Sequence, residues 1–206
     1  MLNKFTVIEG NIGSGKTTLC KKIADEFNSN IILEEFEENP FLKDFLKDQK
    51  INPLGVELQF LIDRFHQLKQ PFNNTKPTVA DYFIEKSHIF SQNNLSKIEK
   101  DLFDSYYSVL FDKITKPDLL VYLSVSSDRL LQNIAKRGRE IEQDVTKEYL
   151  ESIHNSYLNY IKTKTEEKVL VIDVSNIDFV QNKNHYETLK DIITREHPVG
   201  ITEINI

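Results

Sequence analysis

Gly10-Asn11-Ile12-Gly13-Ser14-Gly15-Lys16-Thr17 fits the pattern G-x-x-x-x-G-K-[ST] and is followed by Thr18. Glycines at this spacing let a backbone wrap a phosphate with its N–H groups turned inward, and a helix that follows adds its N-terminal field. Residues 10–18 are therefore the expected nucleotide cradle. Lys16 is expected on the β- and γ-phosphates of a nucleoside triphosphate, and the Thr17 hydroxyl on Mg²⁺. An ordinary glycine-rich turn with an exposed lysine is the bland alternative. Guanine-nucleotide switch marks are missing: Asn182-Lys183 continues as Asn184-His185, and Asn52, Ala135 and His197 stand three before the later glycines.

Three acidic residues, Glu34, Glu35 and Asp81, follow strand-like segments, where open α/β sheets place their ligands. Phosphoryl transfer to an alcohol needs a carboxylate that orients the hydroxyl and takes its proton as the new bond forms. Residue type alone does not choose between Glu34 and Glu35. Arg137-Gly138-Arg139 ends a helical stretch shortly before Glu142. A pliable segment there could bring both guanidiniums onto a triphosphate as a lid, neutralising the transferring group and excluding water. The five histidines have no metal-ligand spacing, and Tyr149, Tyr157 and Tyr160 lie at helix spacing that favours core packing.

Alternating strands and helices must position these groups. Strands are expected at Phe5–Glu9, Ile31–Leu33, Thr78–Ala80, Leu119–Leu123 and Lys168–Val174. Helices are expected from Thr17 to Phe27, Leu54 to Gln70, Ser96 to Ile114 with Ser96 as cap, Asp128 to Lys136, Lys147 to Thr163 and Tyr186 to Arg195. The alternation predicts a five-stranded parallel sheet with helices on both faces. No linker or repeat divides residues 1–206, so one domain is expected, with an uninformative tail after Arg195.

Composition sets the outer bounds. The 206 residues carry 26 Lys+Arg and 32 Asp+Glu, a net charge of −6, which argues against a general nucleic-acid or anionic-membrane binder. Cys20 is the sole cysteine and lies in an apolar helical stripe, which excludes an internal disulfide and favours a core thiol. No apolar run reaches membrane-span length, and residues 1–4 lead directly into a strand; a cytoplasmic protein is expected.

Several of these motifs fall into a wider set. Glu34 is followed by Asn39-Pro40-Phe41-Leu42, and Arg64 stands in Leu61-Ile62-Asp63-Arg64. Lys136-Arg137-Gly138-Arg139 precedes Glu142 and Tyr149-Leu150, and the set closes with Asp173-Val174-Ser175-Asn176-Ile177-Asp178-Phe179. Together with the cradle, these blocks resemble the deoxynucleoside kinase family over roughly residues 5–179. The resemblance implies a P-loop kinase fold with a lid segment, transferring the γ-phosphate of ATP to the 5′-hydroxyl of a deoxynucleoside in nucleotide salvage. It implies Glu34 as general base, Lys16, Arg137 and Arg139 as catalytic cations, and Glu142 on the sugar 3′-hydroxyl. Phe179 falls in the adenine-contacting loop, Arg64 and Asp81 in the substrate pocket, and the family is commonly homodimeric.

The resemblance places base reading seven residues before Arg64, where the family often has a glutamine and this chain has Glu57; Gln59 is the alternative register, and an exposed helix residue is the bland alternative for Glu57. A carboxylate accepts hydrogen bonds and favours a base edge rich in N–H donors, hence a lean towards purine deoxynucleosides. Departures from the family pattern are Asp81-Tyr82, where an arginine usually follows the acid, Asn133 in place of a further lid arginine, and Phe45-Leu46 where a tyrosine is usual. Lys86 is a candidate for the lost charge, a surface lysine being the alternative. A kinase for another small acceptor such as a nucleoside monophosphate, or a regulatory nucleotide-binding homologue, are the competing functions.

Overall fold

The computed structural model describes residues 2–69 and 75–206. Six parallel strands form one sheet in the order β2-β3-β1-β4-β5-β6. They are β1 (Phe5–Gly10), β2 (Asn30–Ile32), β3 (Thr78–Ala80), β4 (Leu119–Ser124), β5 (Lys168–Asp173) and β6 (Gly200–Asn205). Helices α1 (Lys16–Phe27), α2 (Leu42–Lys47), α3 (Pro53–Leu68), α4 (Glu85–Asn94), α5 (Lys97–Phe111), α6 (Ser127–Arg137), α7 (Lys147–Ile161) and α8 (Lys183–Thr194) connect and cover them. The chain leaves β1 for the β2–β3 side and returns to its other side at β4. The carboxyl end of β1 is thus the switch point where such sheets open a crevice.

The central strands are uniformly apolar because both faces are covered: every residue of β1 is buried, as are the first five of β4. Cys20 is fully buried with Leu19 and Ile23 on the inner face of α1. Tyr149 and Tyr157 belong to the core, and Tyr160 packs partly buried against it. Ser96 forms a reciprocal capping box with Glu99 at the start of α5.

Three expectations need correction. The sheet has six strands, because the tail adds β6, register-paired with β5 from Lys168↔Gly200 to Asp173↔Asn205. An edge strand half in solvent carries Thr, Glu and Asn among its isoleucines and lacks the apolar run that marks a buried strand. Helix α2 was not foreseen; at six residues it is too short to show a period. Helix α4 was not foreseen either, because Glu85, Lys86, Ser87 and Ser91 are buried alongside Ile89 and Phe90, which erases any polar face. Elsewhere, ends shift by one to three residues; the expected end of α3 at Gln70 lies outside the described residues.

Candidate active site

The cradle grows directly out of β1. Gly13 (φ 81°) and Gly15 (φ 88°) hold left-handed backbone that L side chains rarely adopt. A Cβ on Gly15 would stand 2.6 Å from Phe179 Cζ, so backbone and aromatic ring are in intimate contact there. Asn11 Nδ2 donates to Leu150 O at 2.7 Å and Asn133 Nδ2 to Gly13 O at 2.9 Å, pinning the loop to α7 and α6. Asn133 thus props the cradle from the position where a lid arginine was expected. Lys16 Nζ bonds Asn11 O at 2.8 Å; burial, then the like charge of Lys86, bring its pKa down to about 8. A cleft beside the loop is lined by Gly13, Gly15, Thr18, Asn133, Arg137 and Phe179. Lys22 ties down the far wall by donating to the carbonyls of Phe179 (2.9 Å) and Val180 (2.8 Å).

On the other side of Lys16 and Thr17 lies a second, more enclosed cavity, whose walls come from α2, α3, α4, α7 and the segment after α6. Its floor is a charge network. Asp81, just past β3, accepts from the Thr17 hydroxyl through Oδ2 and from Glu34 N through Oδ1 at 2.8 Å. Glu34 Oε1 receives Arg64 Nε at 2.9 Å and Nη2 at 2.6 Å, and Oε2 receives Lys86 Nζ at 2.5 Å. Burial would raise the Glu34 pKa, but the charges of Lys86 and Arg64, with the hydrogen bonds each donates, overcome it and bring it down to about 2. Fully buried Glu9 stiffens this floor from below: its carboxylate accepts from Phe83 N at 2.8 Å and Tyr157 Oη at 2.9 Å.

The cavity is also lined by Glu57, whose Oε1 accepts from Asn94 Nδ2 at 2.6 Å while its buried Oε2 has no hydrogen-bond partner among the described residues. Burial pushes its pKa up to about 7, against the Asn94 hydrogen bond and the charges of Arg64 and Lys86. Arg64 lies beneath it, donating to Ser87 Oγ at 2.7 Å and stacking over Phe60 at 4.6 Å. Phe45 and Tyr149 meet edge to face at 6.4 Å on the opposite wall.

The sequence-nominated residues fall into two groups around one floor. Gly13, Ser14, Gly15, Thr18, Arg137 and Phe179 frame the cleft; Ile12, Lys16 and Thr17 line the cavity with Glu34, Glu57, Arg64, Asp81, Arg139 and Glu142, while Gly10 and Asn11 line neither. Arg137, the last residue of α6, borders both. Arg137 and Arg139 both pair with Glu142, Arg139 Nη1 at 3.4 Å, and Arg139 also covers the Phe36 ring at 4.5 Å. Gly138, left-handed at φ 69°, lets the chain turn between the two arginines. Glu35 is exposed. Gln59 bonds Asp63 on its own helix and stays out of the cavity, so Glu57 is the register that reaches it. Sequence reasoning passed over Asn94, Ser87 and Phe60, which carry no motif, and named Lys86 only as a candidate.

A glycine-rich cradle holding a lysine between a cleft and a more enclosed cavity fits a P-loop phosphotransferase. The chain belongs to the deoxynucleoside kinase family, whose pattern it matches over residues 6–197. It is 35% identical to the deoxyguanosine kinase of Bacillus subtilis (strain 168) over 193 residues, covering 90% of this chain and 93% of that protein. It is 29% identical to the deoxyadenosine/deoxycytidine kinase of the same organism over 199 residues, covering 93% and 92%. Among solved structures it is similar to deoxyadenosine kinase from M. mycoides with bound dATP, at a TM-score of 0.80 and 25% identity over 93% of this chain and 100% of that one.

Proposed function

We propose that the protein transfers the γ-phosphate of ATP to the 5′-hydroxyl of a purine deoxynucleoside, with deoxyguanosine the preferred acceptor. The observation that carries this reading is the shared floor. Glu34, 14% exposed, lies between the cradle and a cavity that ends in an unsatisfied carboxylate oxygen of Glu57. Guanine presents two adjacent N–H donors to such a group, and Arg64 beside it can serve a base carbonyl.

Residues 10–15, Lys16, Thr17 and Thr18 hold the triphosphate, and Phe179 contacts the adenine. The left-handed glycines and the close Gly15–Phe179 approach support a cradle that a side chain would fill. The Thr17 hydroxyl, backed by Asp81, is the oxygen donor set that fits Mg²⁺, whose charge neutralises phosphate oxygens when bound. Glu34 orients the acceptor hydroxyl and takes its proton as the O–P bond forms. Lys16 and Arg137 stabilise charge on the transferring group, while Arg139 and Glu142 close the lid, Glu142 reaching the sugar 3′-hydroxyl. Two copies pair through the apolar outer stripe of α5, where Ile98 is 84%, Leu102 47%, Tyr106 55% and Val109 59% exposed.

Release of ADP from ATP and Mg²⁺ with each of the four deoxynucleosides and each nucleoside monophosphate tests the reading. Deoxyguanosine is expected to give the highest kcat/KM. Activity confined to monophosphates, or none with any acceptor, would refute it.

A further inference from the structure

The protons around Glu34 are unequally shared. A carboxylate oxygen offers two lone-pair sites. Oε1 has both taken, by Arg64 Nε and Nη2. Oε2 has one taken, by Lys86 Nζ, so an incoming hydroxyl finds its acceptor site there, beside the ammonium. Lys86 is built for this place. Its side chain is 8% exposed, although it stands on the first turn of α4. That turn is fixed by Lys86 N donating to Phe83 O at 3.1 Å, while Glu9 holds Phe83 N. Burying an ammonium is costly unless it is paired, and among the described residues Glu34 is its hydrogen-bond partner. Neighbouring Tyr82 offers nothing to the floor, because its ring is fully buried and its hydroxyl bonds Gln67.

We propose that Lys86 is a positioning residue for phosphoryl transfer, aiming Glu34 Oε2 at the acceptor hydroxyl and placing a positive charge beside the attacking oxygen. This rests on the kinase reading above. Arg64 saturates the other oxygen and is itself fixed by donating to Ser87 Oγ at 2.7 Å, so the two cations divide the carboxylate between them and Lys86 alone stands at the oxygen with a free acceptor site. A charge beside the attacking oxygen matters most as that oxygen loses its proton, so its removal should fall on kcat more than on acceptor KM.

The test compares wild type, Lys86→Met and Lys86→Arg with deoxyguanosine, saturating ATP and Mg²⁺, alongside thermal melting. Lys86→Met is expected to lose about 10²-fold in kcat with acceptor KM changed by less than about threefold. Lys86→Arg, which keeps the charge, should regain at least about tenfold of that loss. Where the methionine variant fails to fold, Lys86→Gln, which can still donate to Glu34 without the charge, takes its place. A methionine or glutamine variant that keeps wild-type kcat, or an arginine variant no better than the uncharged one, overturns the proposal. A wild type inactive with every deoxynucleoside overturns the kinase reading instead, which keeps the two failures distinct.

Discussion

Glu34 and Glu57 are two carboxylates of one cavity driven in opposite directions by their neighbours. Two cations hold Glu34 ionised with a pKa of about 2, so it stays a proton acceptor throughout the working pH range. Glu34→Gln keeps the shape but cannot take a proton; turnover should fall by ~10²–10⁴-fold while ATP binding, measured by calorimetry, persists. Glu57 faces Asn94 and Tyr149 and feels Arg64, Lys86 and Glu34, yet burial holds it at about 7. Above that pH the ionised group accepts from guanine N1–H and N2–H; below it the protonated group can donate to adenine N1. The ratio of kcat/KM for deoxyguanosine over deoxyadenosine should therefore rise with pH between 6 and 8, and become flat in Glu57→Gln. A ratio in wild type that falls or stays level would remove Glu57 from base reading.

The lid and the cradle act as elements. Arg137 and Arg139 both pair with Glu142, and all three line the cavity. Arg137→Ala and Arg139→Ala should each lower kcat more than they weaken deoxynucleoside binding, and steady-state kinetics separates the two. Variants that changed only acceptor affinity and kept kcat would make the arginines mere acceptor contacts. Much of this layout was legible beforehand. Strands β1 to β5 announce themselves as short apolar runs, the cradle by its spacing, and α5 by its cap. Helix α4 was not legible, because a helix that turns Lys86, Phe90 and Asn94 to the cavity and buries Glu85, Ser87 and Ser91 loses its amphipathic signature. For the same reason the exposure of Lys86 was unreadable: a lysine is buried only where a long-range partner waits, and Glu34 is 52 residues away. Glu57 and Gln59 differ by two positions on α3, and only the docking of that helix decides which one faces inward.

At the scale of the whole molecule, the sheet separates two tasks. Its carboxyl edge at β1 and β3 carries the chemistry, while α5 turns an apolar stripe to the outside, backed by Phe103 in the core. The proposed pairing through α5 predicts that replacing Leu102 and Tyr106 by Glu shifts the molecular mass in light scattering from dimer to monomer; a monomeric wild type, or a mass unchanged by the substitutions, would refute it. In the proposed reaction the cavity presents a sugar hydroxyl to Glu34, and phosphorus NMR of the product formed from deoxyguanosine, ATP and Mg²⁺ reads which oxygen is phosphorylated. A phosphomonoester coupled to the 5′ protons, formed together with ADP, is expected. Inorganic phosphate alone, or a phosphate on the 3′-oxygen, would contradict it.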